Sequence, residues 1–236
     1  MHPILIFRHS PTEGPGYFTT FLDRHGIPWR LVRIDAGDAV PDNLNGASGL
    51  CLMGGPMSVN DDLPWVPPVL ALIRHAVDAD VPVIGHCLGG QLMAKALGGR
   101  VGANPVKEIG WGELRVADAE AAHPWVGESA GPLPGFHWHG ETFSLPPGAV
   151  RILESAWCAN QAYVLNDRHL GMQCHVEMTP ELIASWCENG ADEIAASDSP
   201  AVQSPAAILE DVDARTIRLH TLADKIYSRW IQGLNR

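Results

Sequence analysis

The residues best suited to chemistry surround Cys87, which lies between two glycines in Gly85-His86-Cys87-Leu88-Gly89. An apolar run at 81–84 predicts a buried strand before it, and apolar residues at helical spacing over 88–97 predict a helix after it. A nucleophile framed by glycines between a strand and a helix is typical of a nucleophile elbow. The first amides of such a helix favour a thiolate and can hold an oxyanion. The alternative interpretation is a buried structural cysteine beside a flexible glycine turn.

A base for this cysteine is available in His175, which follows Cys87 by 88 residues and precedes Glu177 by two. Residues 169–174 predict a short strand that leads directly to this pair. Alternate residues of an extended chain share a face, so Glu177 could orient the His175 ring while its other nitrogen faces Cys87. A histidine and a glutamate at this spacing are common by chance, but their position after a predicted strand favours a Cys87, His175 and Glu177 triad.

Four segments together resemble the class I glutamine amidotransferases, in the order that this family has them. They are residues 52–58 (Leu-Met-Gly-Gly-Pro-Met-Ser), 85–91 (Gly-His-Cys-Leu-Gly-Gly-Gln), 138–146 (Trp-His-Gly-Glu-Thr-Phe-Ser-Leu-Pro) and 173–177 (Gln-Cys-His-Val-Glu). The third segment resembles the His-Gly-Asp motif of the GMP-synthetase-type branch. The resemblance implies that the amides of Gly55 and Leu88 form the oxyanion hole. It also implies a substrate pocket lined by Gly54, Gln91, His139, Gly140 and Glu141.

Three positions depart from the family pattern. Val176 stands where the family commonly has proline, a position without a chemical role. Gly90 stands where many relatives carry histidine or alanine, and this departure is tolerable. Glu141 replaces the usual aspartate. If this carboxylate holds the substrate amino group, its extra methylene shifts preference away from free glutamine.

Composition indicates a cytoplasmic enzyme of the α/β class. The chain of 236 residues is 46% hydrophobic and carries a net charge of −11 without a basic run, which argues against a nucleic-acid surface. Five cysteines without regular spacing predict no disulfide framework and favour a reducing compartment. The apolar start at 3–7 is too short for a signal peptide, and no apolar run approaches the ~20 residues of a membrane helix.

The order of elements predicts an open, mostly parallel sheet flanked by helices, which is the flavodoxin-like fold that the resemblance also implies. Strands are predicted at 4–7, 29–34, 49–53 and 81–85, with helices at 17–25, 66–79 and 179–187. Short strands at 113–117, 136–138, 152–154 and 162–165 predict a small antiparallel extension. We expect residues 1–195 to form the amidotransferase-like domain. Residues 196–236 are predicted as a linker at 197–205 and one long helix at 206–234 that packs on the same domain.

The predicted reaction is hydrolysis of the side-chain amide of glutamine through a γ-glutamyl thioester, and it needs no metal or organic cofactor. The GMP-synthetase branch of the family carries an ATP-using synthetase domain after its amidotransferase domain. About sixty residues follow Glu177 in this sequence, which are too few for a domain of that kind. The ammonia therefore goes to a separate synthetase subunit, or water is the acceptor and the protein is a γ-glutamyl amide or peptide hydrolase. A non-catalytic binding protein of the same fold is the third alternative.

Other residues with chemical potential have simpler interpretations. His137 and His139 form a His-x-His pair, but the sequence offers no third metal ligand at a defined spacing, so no metal site is predicted. His86 is expected to pack in the core, and Cys174 is expected to be buried and inert, as are the three cysteines at 51, 158 and 187. The segment Gly14-Pro15-Gly16 lacks the lysine and the spacing of a phosphate loop and is interpreted as a plain loop.

Overall fold

The computed structural model describes residues 2–129 and 131–235, which form ten strands and eight α-helices. The strands are β1 (Ile4–Arg8), β2 (Trp29–Arg33), β3 (Gly49–Leu52), β4 (Val83–His86), β5 (Val101–Val116), β6 (Leu133–Phe143), β7 (Val150–Glu154), β8 (Ala162–Leu165), β9 (His169–Met172) and β10 (Ala201–Val202). The helices are α1 (Tyr17–Arg24), α2 (Val66–Asp78), α3 (Leu88–Ala96), α4 (Ala119–Val126), α5 (Pro180–Asn189), α6 (Ala191–Ala195), α7 (Pro205–Leu209) and α8 (Val212–Trp230).

One sheet has the strand order β10-β5-β7-β8-β9-β4-β3-β1-β2, with β6 paired to β5 outside this order. Strands β2, β1, β3, β4 and β9 are parallel to their neighbours in this half, whereas β8, β7, β5 and β6 pair antiparallel. The parallel strands end at the same edge, so the segments that follow β1, β3, β4 and β9 lie side by side. The predicted class, a mostly parallel sheet with an antiparallel extension, is confirmed.

The core lies on both faces of the sheet. Residues of β1 alternate between the two hydrophobic clusters: Ile4 and Ile6 pack on one side, and Leu5 and Phe7 pack on the other. Helices α1, α4, α5 and α8 cover the first side, while α2 and α3 cover the second. Because every buried residue of β1 meets a helix layer, this strand is apolar throughout its buried part.

The antiparallel extension is larger than the sequence predicted. Strand β5 extends over 16 residues, where the sequence indicated only 113–117, and β6 extends over 11, where it indicated 136–138. The two strands form a long ribbon whose register shifts between Ala103 and Glu108. This ribbon carries the His139-Gly140-Glu141 segment beside the parallel half of the sheet.

The C-terminal segment differs from the predicted linker and single helix. Residues 201–202 of the predicted linker form β10, which pairs with Glu108 and Ile109 of β5. The helix breaks between α7 and α8, where Asp211 adopts a left-handed conformation with φ 52°. Helix α8 then packs into the same core as α1 and β6. Of the helices that the structure describes, none combines the length and apolar character needed to cross a bilayer.

Candidate active site

Cys87 lies at the tight turn between β4 and α3, with φ 49° and ψ −107°. These angles are uncommon for a residue with a side chain and store backbone strain. A methyl group on Gly85 would collide with the backbone of Gly89, and one on Gly89 would collide with Leu52 O. The glycines therefore permit the close approach that turns the thiol toward the sheet edge. A methyl group on Gly90 would also collide with the backbone of Met172. This close contact explains why this chain has glycine at position 90, where it departs from the family pattern.

His175 and Glu177 form a buried pair after β9, where His175 Nδ1 donates to Glu177 Oε1 at 2.6 Å. Burial alone would raise the pKa of Glu177, but the charge and hydrogen bond of His175 outweigh it and lower this pKa to about 2. Burial opposes a charged His175 ring, whereas the charges of Glu177 and Cys87 raise its pKa well above the ordinary value. His175 Nε2 is buried and makes no hydrogen bond to the described residues. It is therefore available for proton exchange near Cys87.

Two glutamines extend from the thiol into the floor of the site. Gln173 Nε2 donates to Cys87 Sγ at 3.4 Å, and Gln91 Nε2 donates to Gln173 Oε1 at 3.1 Å. Gln91 was predicted in the pocket, whereas Gln173 belonged to the quoted motif without an assigned role. An amide N–H directed at sulfur stabilises negative charge on it.

The two residues predicted to supply oxyanion amides lie together beside Cys87. Gly55 lines the same cavity as Cys87, and a methyl group on it would lie 2.7 Å from Leu88 Cδ2. Leu88 is the first residue of α3, so its N–H has no partner within the helix. Gly54 is not among the described residues that line this cavity, but a methyl group added to it would collide with Glu13 Oε2 and lie 3.5 Å from His175 Cε1.

A cavity of about 380 Å³ opens over Cys87. The predicted residues Gln91, His139, Gly140 and Glu141 line it. The structure adds residues without an assigned role in the sequence analysis: Glu13, Ser58, Trp138, Trp186, Asn189 and Glu193. Ser58 Oγ donates to Glu141 Oε1 at 3.1 Å and holds this carboxylate at the cavity wall. No lysine or arginine occurs among the described residues that line the cavity, although three of them are glutamates.

Glu13 is the least expected of these residues. It follows β1 in the loop before Gly14-Pro15-Gly16, and burial raises its pKa to about 7, while the charge of His175 lowers it and that of Glu177 raises it. The loop does more than connect elements, because Tyr17 N donates to Glu177 O at 2.8 Å and a side chain on Gly16 would collide with that oxygen. The position of Glu13 in the loop that follows a parallel strand was a signal that could have identified it.

His86, His137, His139 and the four cysteines outside the elbow are buried. His86 is hydrogen-bonded through Nε2 to the Tyr227 hydroxyl at 3.0 Å, as expected for a packed residue. Burial raises the pKa of the thiol of Cys174 and of those of the three other cysteines outside the elbow, so they stay protonated. His137 and His139 lie with Glu108, a residue that the sequence did not connect with them, and their donor atoms lie within 4.8 Å of one another. Burial lowers the pKa of His137 to about 3.

The chain matches the family model described as glutamine amidotransferase class-I over residues 21–192. It is 32% identical over 192 residues to the glutamine amidotransferase-like protein YfeJ of Salmonella typhimurium, covering 79% of this chain and 80% of that protein. It is 33% identical over 177 residues to the glutamine-hydrolyzing GMP synthase of Tolumonas auensis, covering 71% of this chain but only 32% of that protein. A crystal structure of a glutamine amido transferase from Methylobacillus flagellatus superposes with a TM-score of 0.97 and 49% identity, covering 100% of this chain and 96% of that one. The chain belongs to the class I glutamine amidotransferase family.

Proposed function

We propose that this protein hydrolyses the side-chain amide of glutamine. Cys87 is the nucleophile and His175 the proton carrier, while Glu177 orients the His175 ring and stabilises its protonated form. The observation that carries the proposal is the buried hydrogen bond between His175 Nδ1 and Glu177. It leaves the other ring nitrogen of His175, Nε2, without a partner among the described residues and beside the elbow cysteine. The raised pKa of His175 supports a thiolate and imidazolium pair in the resting site.

The reaction proceeds in two halves. The Cys87 thiolate attacks the amide carbon, and the amides of Gly55 and Leu88 hold the resulting oxyanion. The C–N bond then breaks as His175 gives its proton to the departing ammonia, which leaves a γ-glutamyl thioester. His175 next removes a proton from water, the hydroxide attacks the thioester, and glutamate leaves as the thiolate is regenerated.

Glu141 is proposed to hold the α-ammonium group of the substrate, with Gly54, Gln91, His139 and Gly140 shaping the rest of the pocket. The Ser58 hydroxyl fixes the Glu141 carboxylate at the cavity wall, which supports this role. A charged pair in a partly buried site is a strong determinant of binding.

Ammonia released in this site would reach a separate synthetase subunit, in line with the similarity to the glutamine-hydrolyzing GMP synthase. A second candidate is a γ-glutamyl amide hydrolase with water as the acceptor. The acidic cavity favours it, because Glu13 lies beside His175, where the amine leaves, and Glu141 is longer than the usual aspartate. In this case the amine leaves neutral with the proton from His175, and the Glu13 carboxylate binds it once a second proton has made it an ammonium ion.

The experiment that tests the proposal is trapping with a glutamine-like electrophile followed by peptide mass mapping. The label should reside on Cys87 in the parent protein and be absent in Cys87→Ser. Cys187→Ser is the matched control, because that thiol is buried in α5 away from the cavity, and it should label like the parent. Labelling chiefly at another cysteine would overturn the assignment of Cys87 as nucleophile. If, in addition, no γ-glutamyl compound were hydrolysed, the result would favour the non-catalytic alternative.

The substrate is then identified with kcat/KM for glutamine and for a series of γ-glutamyl amides. Glu141→Ala should raise KM steeply for every substrate if this carboxylate binds the α-ammonium group. Glu141→Asp should keep activity on glutamine, and it should lose activity selectively on a larger native γ-glutamyl substrate if the extra methylene serves one. Unchanged values in Glu141→Ala would remove this segment from the pocket and leave the triad proposal intact.

A further inference from the structure

The ribbon of β5 and β6 contains a buried group of two imidazoles and a carboxylate next to the active site. We propose that Glu108, His137 and His139 bind one divalent transition-metal ion, with Zn²⁺ as the ion of first choice. His137 and His139 lie two residues apart on β6 and therefore share a face. Glu108 on β5 is paired directly with His139, so its carboxylate reaches the same face.

Unpartnered donor atoms are the first observation that points to a ligand. His137 is 2% exposed, and both of its ring nitrogens lack hydrogen-bond partners among the described residues. Buried polar atoms are normally paired, because leaving one without a partner costs free energy. A metal ion bound through one nitrogen would give this imidazole a partner.

The orientation of His139 is the second observation. Its Nδ1 lies 3.0 Å from Glu141 O, which can only accept, so Nδ1 carries the proton. Nε2 then faces Glu108 Oε2 at 3.1 Å, outside hydrogen-bond geometry, so these two atoms converge without a hydrogen bond between them. A metal ion between these two atoms would bond to both of them. Histidines that bind metals commonly donate their second ring nitrogen to a carbonyl in this way.

The surroundings of the group give it space and orientation. Methyl groups on Gly112 and Gly135 would lie 2.8 Å and 3.1 Å from the His137 ring, so these glycines accommodate the imidazole between the strands. Ser155 Oγ and Gln161 Nε2 both donate to the Glu108 carboxylate at 2.8 Å and orient it. A cavity of about 280 Å³ lined by Glu108 and His137 offers an open coordination position and an entry path.

The donor set selects the class of ion. Two imidazole nitrogens and one carboxylate oxygen are a known zinc ligand set, whereas Mg²⁺ and Ca²⁺ prefer oxygen ligands alone. The ion would join β5 to β6, and β6 carries Trp138 and Glu141, which line the cavity over Cys87. It would therefore stiffen the wall of the active site without contacting the substrate.

The test is metal binding, measured independently of glutamine hydrolysis. Protein with Cys87→Ser, which removes the one reactive thiol as a competing ligand, is stripped with a chelator, dialysed against Zn²⁺ and analysed by mass spectrometry of the metal. We expect one equivalent per chain, and at least a tenfold weaker affinity when His137→Gln is added. His75→Gln is the matched control, because it makes the same change at an exposed histidine on α2 and should bind like the parent. Absence of bound zinc, or equal affinity in His137→Gln, would overturn the proposal.

His137→Gln could lose zinc affinity because it misfolds, so two further measurements use protein that keeps His137. Zn²⁺ should raise the Tm in a concentration-dependent manner, since an ion that binds only the folded state stabilises it. Co²⁺ should give visible bands of a nitrogen and oxygen site without thiolate charge transfer. A Tm that does not respond to Zn²⁺, or a cobalt spectrum with a thiolate band, would overturn the proposal.

Discussion

Replacing Glu177 by glutamine separates the charge of this residue from its geometry. The amide oxygen of Glu177→Gln can still accept from His175 Nδ1, which it would meet near the present 2.6 Å, so the ring keeps its orientation. What is lost is the attraction between the carboxylate and the imidazolium. Two unit charges with centres ~4 Å apart attract by about 4 kcal/mol at an effective dielectric constant of ~20. Because 1.36 kcal/mol is a factor of ten, we expect kcat/KM for glutamine to fall by about 10²- to 10³-fold.

The pH dependence gives a second reading of the same variant. The charge of Glu177 raises the pKa of His175, so its removal lowers that pKa and moves the alkaline limb of kcat/KM to lower pH. Both effects are measured by initial rates of ammonia or glutamate release across pH. The matched control is Glu120→Gln, the same change at an exposed residue of α4, which should leave rate and profile unchanged. His175→Ala should lose more activity than Glu177→Gln, because it removes the proton carrier itself. If Glu177→Gln kept an activity within threefold of the parent at every pH, the electrostatic reasoning would be refuted.

Three further predictions concern strain, burial and packing, and urea unfolding of the variants tests each of them. Cys87→Gly should be more stable than Cys87→Ala by about 1 kcal/mol, because only glycine relieves the positive φ of 49°; the opposite order would exclude backbone strain at this position. Glu13 has its pKa raised by burial to about 7, so the folded state takes up a proton that the unfolded state releases and stability falls as pH rises from 4.5 to 7. Glu13→Gln should remove this loss, on the order of 3 kcal/mol between pH 4.5 and 7, and an unaltered pH dependence would contradict it. Gly90→Ala should destabilise by roughly 1–3 kcal/mol because its methyl group collides with Met172 O, whereas Gly102→Ala, which meets nothing within 4 Å, is the control and an equal loss there would contradict the packing argument.

Features fixed by neighbouring residues could be predicted from the sequence. The Cys87 turn follows from the glycines at 85 and 89, which relieve local collisions, and the start of α5 follows from Thr179, whose hydroxyl caps Leu182 N. The β5 and β6 ribbon was underestimated because β5 contains Gly102, Asn104 and Pro105, residues with low strand propensity. Pairing with β6 overrides that preference, and pairing cannot be inferred from a local pattern.

Contacts between distant segments account for what the sequence did not predict. Glu13 and Trp186 reach the cavity from opposite ends of the chain, and Trp186 Nε1 donates to Thr12 O. The meeting of Glu108 with His139 depends on the register shift between Ala103 and Glu108, which no spacing in the sequence indicates. The break before α8 depends on the left-handed conformation of Asp211, in a segment whose apolar periodicity continues through it.

The hydrogen bond from Tyr17 N to Glu177 O joins residues that are 160 positions apart in the chain. Contacts of such long sequence separation require closure of a large loop and form slowly relative to local helices and turns. Helix α8 adds another such contact, since the Tyr227 hydroxyl is hydrogen-bonded to His86, the neighbour of Cys87, across 141 positions. During synthesis the Cys87 turn thus emerges long before His175, Glu177 and Tyr227, the residues that meet it or its strand in the folded chain. The proposed triad is consequently completed late in folding, and a partly synthesised chain carries Cys87 without the two residues proposed to act with it.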